Sequence, residues 1–80
     1  MHQEWQPVPV KCFSGHTYAE RPDSFLWQGR EHRVREVEKA WREPGARHFR
    51  VRTEDEGCFE LRYQEAQDQW WLIVQAGTIP

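Results

Sequence analysis

The sequence predicts an all-β domain, a small twisted antiparallel sheet or SH3-like barrel of five or six strands. Turn-forming residues recur at short, even intervals: Ser14-Gly15, Arg21-Pro22-Asp23, Gln28-Gly29, Glu43-Pro44-Gly45, Asp55-Glu56-Gly57 and Gln64 to Asp68. That punctuation is expected of hairpins. Most of the segments between the turns alternate apolar and polar residues with period two, so each has one face to bury. Five Trp, four Phe and two Tyr in 80 residues then supply enough large rings to fill the interior. This matters because so short a chain buries only roughly 60% of its unfolded surface.

The elements follow in chain order as Val8 to Phe13, Ser24 to Trp27, Glu31 to Trp41, Arg47 to Thr53, Cys58 to Tyr63 and Gln69 to Gln75. They make one domain over residues 1–80, with a core spanning approximately 7–75 and frayed ends at 1–6 and 76–80. No internal repeat or low-complexity tract interrupts it.

The hairpin Phe49 to Thr53 with Cys58 to Tyr63 has a derivable register. Phe49, Val51, Phe59, Leu61 and Tyr63 must share a face, so facing residue numbers must sum to an even value and the loop must be odd in length. A three-residue loop, Asp55-Glu56-Gly57, meets this with Gly at the left-handed position of a turn plus bulge. The expected pairs are Thr53 with Phe59, Val51 with Leu61 and Phe49 with Tyr63, with Arg52 opposite Glu60 and Arg50 opposite Arg62 on the outer side.

The segment 31–42 carries two signals. Val34, Val37 and Trp41 at i, i+3 and i+7 suit a helix, which would make the domain α+β. Against this, Phe25 and Trp27, the Gln28-Gly29 turn, then His32 and Val34 read as a hairpin. A β-bulge accounts for the change of phase between Val34 and Val37, and strand is the favoured reading. Placing Trp41 opposite Phe49 across the Pro44-Gly45 turn puts Glu38 beside Arg52, a favourable cross-strand charge pair. The core rings are then Phe25, Trp27, Trp41, Phe49, Phe59, Tyr63 and Trp71. Trp70, next to Trp71, must point the other way, and with Trp5 and Tyr18 it forms the expected partner-binding set.

Composition narrows the function classes. The longest apolar run, Trp70 to Val74, is far short of the roughly 20 residues of a membrane span. The first residues lack the basic patch and apolar stretch of a secretory signal, so a cytoplasmic protein without a membrane partner is expected. Cys12 and Cys58 are read as reduced, buried thiols. Cys12, His16, His32, His48 and Cys58 are metal-ligand types, but no Cys-x-x-Cys pair organises them, and ordinary core thiols and surface imidazoles are the preferred reading. Cys12 or Ser14 with His16 and Glu20 or Asp23 could be assembled into a nucleophilic set. Neither a nucleophile elbow nor a glycine-rich phosphate cradle accompanies them. The expectation is therefore no enzyme, with no catalytic residue, metal or cofactor.

Charge is unevenly spread. The net charge is -2, yet residues 30–52 hold eight cations against four acids, whereas residues 54–80 hold six acids against Arg62 alone. Arg42, Arg47, Arg50 and Arg62, with Arg33 and Arg35 further along, form a candidate nucleic-acid contact near the 43–47 turn, since Arg stacks and forks onto phosphate. Arg52, flanked by acids, is already compensated.

The run Arg21 to Arg30, followed by Val34, Val37, Trp41 to Gly45, Phe49 to Val51, Glu60 to Tyr63 and Trp70 to Leu72, resembles a small uncharacterised bacterial β-domain family over roughly residues 20–72. The resemblance implies a β fold without an established activity. Some members of that family stand beside or are fused to error-prone Y-family DNA polymerases, which implies a link to DNA-damage tolerance. Residues and resemblance together lead to an expected non-catalytic binding module for an unidentified protein partner. Direct nucleic-acid binding through the arginine patch is the alternative.

Overall fold

The computed structural model describes residues 5–12 and 21–74. Seven strands make one antiparallel sheet, and no helix occurs among the described residues. They are β1 (Gln6–Pro7), β2 (Val10–Cys12), β3 (Pro22–Trp27), β4 (Arg30–Glu43), β5 (Ala46–Thr53), β6 (Cys58–Gln64) and β7 (Gln69–Val74). The spatial order is β1-β7-β6-β5-β4-β3-β2. The all-β expectation holds and the helix at 31–42 is excluded. One more segment pairs than the alternating pattern counts, because β1, at two residues, is too short to show a period.

That order forces the sheet to curl into a half-barrel. β1 and β2 stand at its two ends, yet only Val8 and Pro9 separate them in sequence. Pro7 and Val10 can be at most about 11 Å apart, so the sheet edges must approach one another. The Val8 amide donates to Trp70 O at 3.1 Å, while Pro9 O accepts from the Leu26 amide at 3.0 Å. One bent segment thus binds β7 with its first half and β3 with its second.

β4 plays the complementary part. At 14 residues it would span about 46 Å if straight, but its first residues, Arg30 to Arg33, pair with β3 and the remainder pair with β5. Register shifts lie between Val34 and Glu36 and between Val37 and Lys39, and bulges of this kind bend a strand and sharpen its twist. The first is the bulge expected from the phase change. The second leaves no mark in the hydrophobic pattern and has a large consequence: Ala40, not Trp41, comes opposite Phe49, and Trp41 turns to the outer face opposite His48. The two-residue Pro44-Gly45 turn, with Gly45 at φ +79°, also demands this odd-numbered pairing.

The turns show why these residues stand where they do. Gln28 and Gly29 both have positive φ, 53° and 77°, matching the two-residue hairpin that suits sheet twist. In the β5–β6 hairpin the parity argument holds but the pairs shift by two. Phe49 faces Leu61, Val51 faces Phe59, Arg50 faces Glu60 and Arg52 faces Cys58. The loop is Glu54-Asp55-Glu56, closed by the Thr53 amide on Gly57 O at 2.9 Å. Glu56, at φ 73°, takes the left-handed position expected of Gly57. Gly57 is needed for a different reason: a Cβ there would come within 2.5 Å of the Phe59 ring and 3.1 Å of Thr53 Oγ1. Buried Thr53 holds the loop, its hydroxyl donating to Asp55 and accepting the Gly57 amide at 3.0 Å.

The core is Val8, Phe25, Phe49, Val51, Phe59, Leu61, Tyr63, Trp70 and Leu72, with Trp27, Val34, Val37 and Val74 packed against it. Each fully buried large side chain contributes about 1.5–3 kcal/mol relative to exposure. Phe25 and Trp27 both meet the Phe59 ring edge-on, at 5.1 and 5.2 Å between centroids. The expected core holds except at Trp41 and Trp71. Trp41 lies outside because of the second bulge. Trp71 lies outside because a four-residue loop, residues 65–68, joins β6 to β7 and sets Tyr63 opposite Trp70. Trp70 is therefore 7% exposed and packs on Phe49 and Tyr63.

Candidate functional site

On the outer face of β4 to β7, four residues face one another in a continuous row. Trp71 is opposite Arg62, Arg62 opposite His48, and His48 opposite Trp41. Directly paired side chains on adjacent strands are close neighbours, with strands spaced about 4.8 Å apart. The row is therefore continuous over some 14 Å of sheet. It is extended at both ends. Lys39 Nζ lies 5.2 Å from the Trp41 ring centroid and the Arg62 guanidinium 5.7 Å from that of Trp5, within the range of cation–π attraction.

His48 anchors the row. Its ring is stacked on Trp41, with centroids 5.1 Å apart and planes 8° from parallel. Nε2 lies 2.9 Å from Glu43 Oε1 and Nδ1 3.5 Å from Glu60 Oε2. The Nε2 hydrogen bond with Glu43 holds the imidazole in one orientation, with Glu60 nearby on its other side, and the ring backs the half-buried Trp41 as a flat platform. A second buried imidazole, His32, stacks on Phe25 and touches Trp27 and Phe59, with Nδ1 3.1 Å from Asp55 Oδ2. The Asp55 carboxyl is held below the usual 3.8, first by the hydroxyl that Thr53 donates and then by nearby His32. Both imidazoles were expected at the surface. Both are buried instead, each with a carboxylate close to a ring nitrogen.

The partner-binding set needs correction at Trp70, which offers no surface because the four-residue loop directs it into the core. Trp71 and Trp41 face outward instead. Trp5 is half-buried against Arg62, and Tyr18 lies outside the described residues, as do Ser14, His16 and Glu20. Among the described residues no group of three or more His, Cys, Asp or Glu could hold a metal ion. Cys12 and Cys58 are free of disulfide and half-buried.

The arginines do not make one patch. Arg42 and Arg47 share Glu65, at 4.0 and 3.7 Å, and Arg35 meets Glu56 at 3.4 Å. Arg50 faces Glu60, Arg33 is exposed on β4, and Arg62 belongs to the tryptophan row. Arg52 is compensated by Glu38, at 2.9 Å, so this expected contact holds although Glu36 is the backbone partner of Arg52. What sequence reasoning missed is the row itself, since it depends on a bulge and a loop length. His48 alone left a signal, an unexplained polar residue beside core positions.

Residues 11–48 match the family described as Domain of unknown function (DUF6504), an uncharacterised family. The matched stretch includes Trp41 and His48 but stops before Arg62 and Trp71. No curated protein and no solved structure matches the chain. No helix among the described residues is long and apolar enough to cross a membrane.

Proposed function

We propose that this domain is a non-catalytic binding module that docks a protein partner on the outer face of β4 to β7. The observation that carries this reading is the row Trp71, Arg62, His48, Trp41. Trp and Arg are the side chains over-represented among residues that dominate interface energies, and here they are half-exposed, adjacent and fixed on strands. The β-domain resemblance makes an error-prone Y-family polymerase the first partner to test, and with it a role in DNA-damage tolerance.

The chain contains two lysines, and they make the reading testable. Lys39 flanks the row beside Trp41, whereas Lys11 lies on β2 at the end of the sheet order. An amine-reactive cross-linker applied to the bound complex should join the partner at Lys39 and spare Lys11. The product should disappear in Trp41→Ala and Trp71→Ala, both folded. Cross-linking only through Lys11, or unchanged in both variants, would place the contact elsewhere.

Direct nucleic-acid binding is the rival, and the carboxylates beside Arg35, Arg42 and Arg47 weigh against it. Anisotropy of labelled single-stranded and duplex DNA in about 50 mM salt separates the two, because phosphate contacts weaken steeply as salt rises. Salt-sensitive binding at micromolar protein, lost in Trp71→Ala, would replace the protein reading.

A further inference from the structure

One end of the row forms a pocket. Trp5, Arg62, Gln64, Gln67 and Trp71 line a cavity of about 260 Å³. Arg62 is oriented before any ligand arrives: its Nε–H donates to Gln64 Oε1 at 2.9 Å, its guanidinium lies 5.7 Å from the Trp5 ring centroid, and Trp71 stands directly opposite it across β6 and β7. Among the described residues no carboxylate lies within 4.0 Å of this guanidinium, whereas Arg35, Arg42, Arg47 and Arg52 all have one. With Nε occupied, the two terminal nitrogens form the remaining donor edge, which matches a carboxylate.

We infer that the Trp5–Arg62–Trp71 pocket recognises a peptide carboxylate, an Asp or Glu side chain next to an aromatic or large apolar residue, on the partner protein. The inference rests on the protein-docking reading and gives that partner its chemistry. The two indoles supply apolar walls for the neighbouring residue, the guanidinium takes the carboxylate, and the amides of Gln64 and Gln67 add neutral donors. Glu60, two residues before Arg62 on the same face of β6 and only slightly exposed, disfavours a polyanion. A single carboxylate fits this site better than a phosphate backbone.

The test needs no partner. The ¹⁵N-labelled protein is titrated with acetyl-Phe-Asp-amide and, separately, with acetyl-Phe-Asn-amide, following the indole N–H signals of Trp5 and Trp71 and the Arg62 Nε–H. The acidic peptide should shift these signals with a dissociation constant in the millimolar range, and the amide analogue should bind at least about tenfold more weakly. Arg62→Lys, which keeps the charge and loses the fork, should weaken the acidic peptide by about tenfold while the remaining amide spectrum is unchanged. Equal binding of both peptides, undiminished binding to Arg62→Lys, or no shift at about 20 mM peptide would overturn the pocket. A thymidine oligonucleotide that shifts the same signals more tightly would overturn it in favour of nucleic acid. Failure here leaves the docking face to be decided by the Lys39 cross-link, and a missing cross-link leaves the titration standing.

Discussion

His48 and Trp41 lie ring on ring across the β4–β5 pair, 5.1 Å between centroids, and each depends on the other. The indole covers a buried imidazole, and the imidazole, held by Glu43 with Glu60 nearby, fixes the plane on which the indole rests. Trp41→Ala should cost about 1–2 kcal/mol, an aromatic contact plus the area uncovered. For a domain of this size that lowers the melting temperature by about 4–8 °C per kcal/mol. Trp41→Phe should recover much of the loss, and thermal melts of the two variants check this.

Trp70 and Trp71 should separate sharply although they are neighbours. Trp70→Ala removes a buried ring from the core and should cost about 3–5 kcal/mol, enough to unfold many domains of this size. Trp71→Ala should cost under about 1.5 kcal/mol. Urea unfolding curves would show a collapsed midpoint for the first and a small shift for the second. The reverse order would mean that β7 is out by one residue.

Gly57→Ala should destabilise by about 1–3 kcal/mol, because the new methyl meets the Phe59 ring at 2.5 Å and the core is already filled. Gly45→Ala meets nothing within 4 Å but sits at φ +79°, so backbone strain alone should cost about 1–2 kcal/mol. In the double variant Gly57→Ala/Phe59→Leu, the loss due to Gly57→Ala should shrink, while the loss at Gly45 should not respond to Phe59.

Acid should weaken the β5–β6 hairpin through Asp55. Its carboxyl in the folded chain is held below its ordinary value of 3.8, first by Thr53 and then by His32. A depressed carboxylate contributes stability that is fully present above its unfolded value and is lost as pH falls through the lower folded value. Stability should therefore fall off below about pH 4, and Asp55→Asn should flatten that part of the curve while leaving a lower plateau at neutral pH. Thr53→Val, which also strips the Gly57 amide of its acceptor, should cost about 1–3 kcal/mol at every pH. Chemical denaturation from pH 2.5 to 7 checks both.

The closure of the sheet rests on Val8, 3% exposed, whose amide binds Trp70 O. Val8→Asp buries an unpaired carboxylate and should detach the N-terminal segment from β7. Hydrogen exchange should then rise first at β1, β2 and the exposed edges of β3 and β7. Protection should persist longest at the β5–β6 pair.

By itself the sequence determined an all-β domain, the Gln28-Gly29 and Pro44-Gly45 turns, the shared face of Phe49, Val51, Phe59, Leu61 and Tyr63, and the first bulge in β4. These are local properties, set by period and turn chemistry within a few residues. Pro22 and Asp23, expected in a turn, belong instead to β3. Tertiary structure decided what period cannot carry: the shift by two in the β5–β6 pairs, the second bulge, and the four-residue loop before β7. Two of these are single-residue offsets, and in a strand one residue exchanges the buried and exposed faces. That is why Trp70 belongs to the core, why Trp41 and Trp71 stand outside beside His48 and Arg62, and why the candidate site became visible only when the strands were paired.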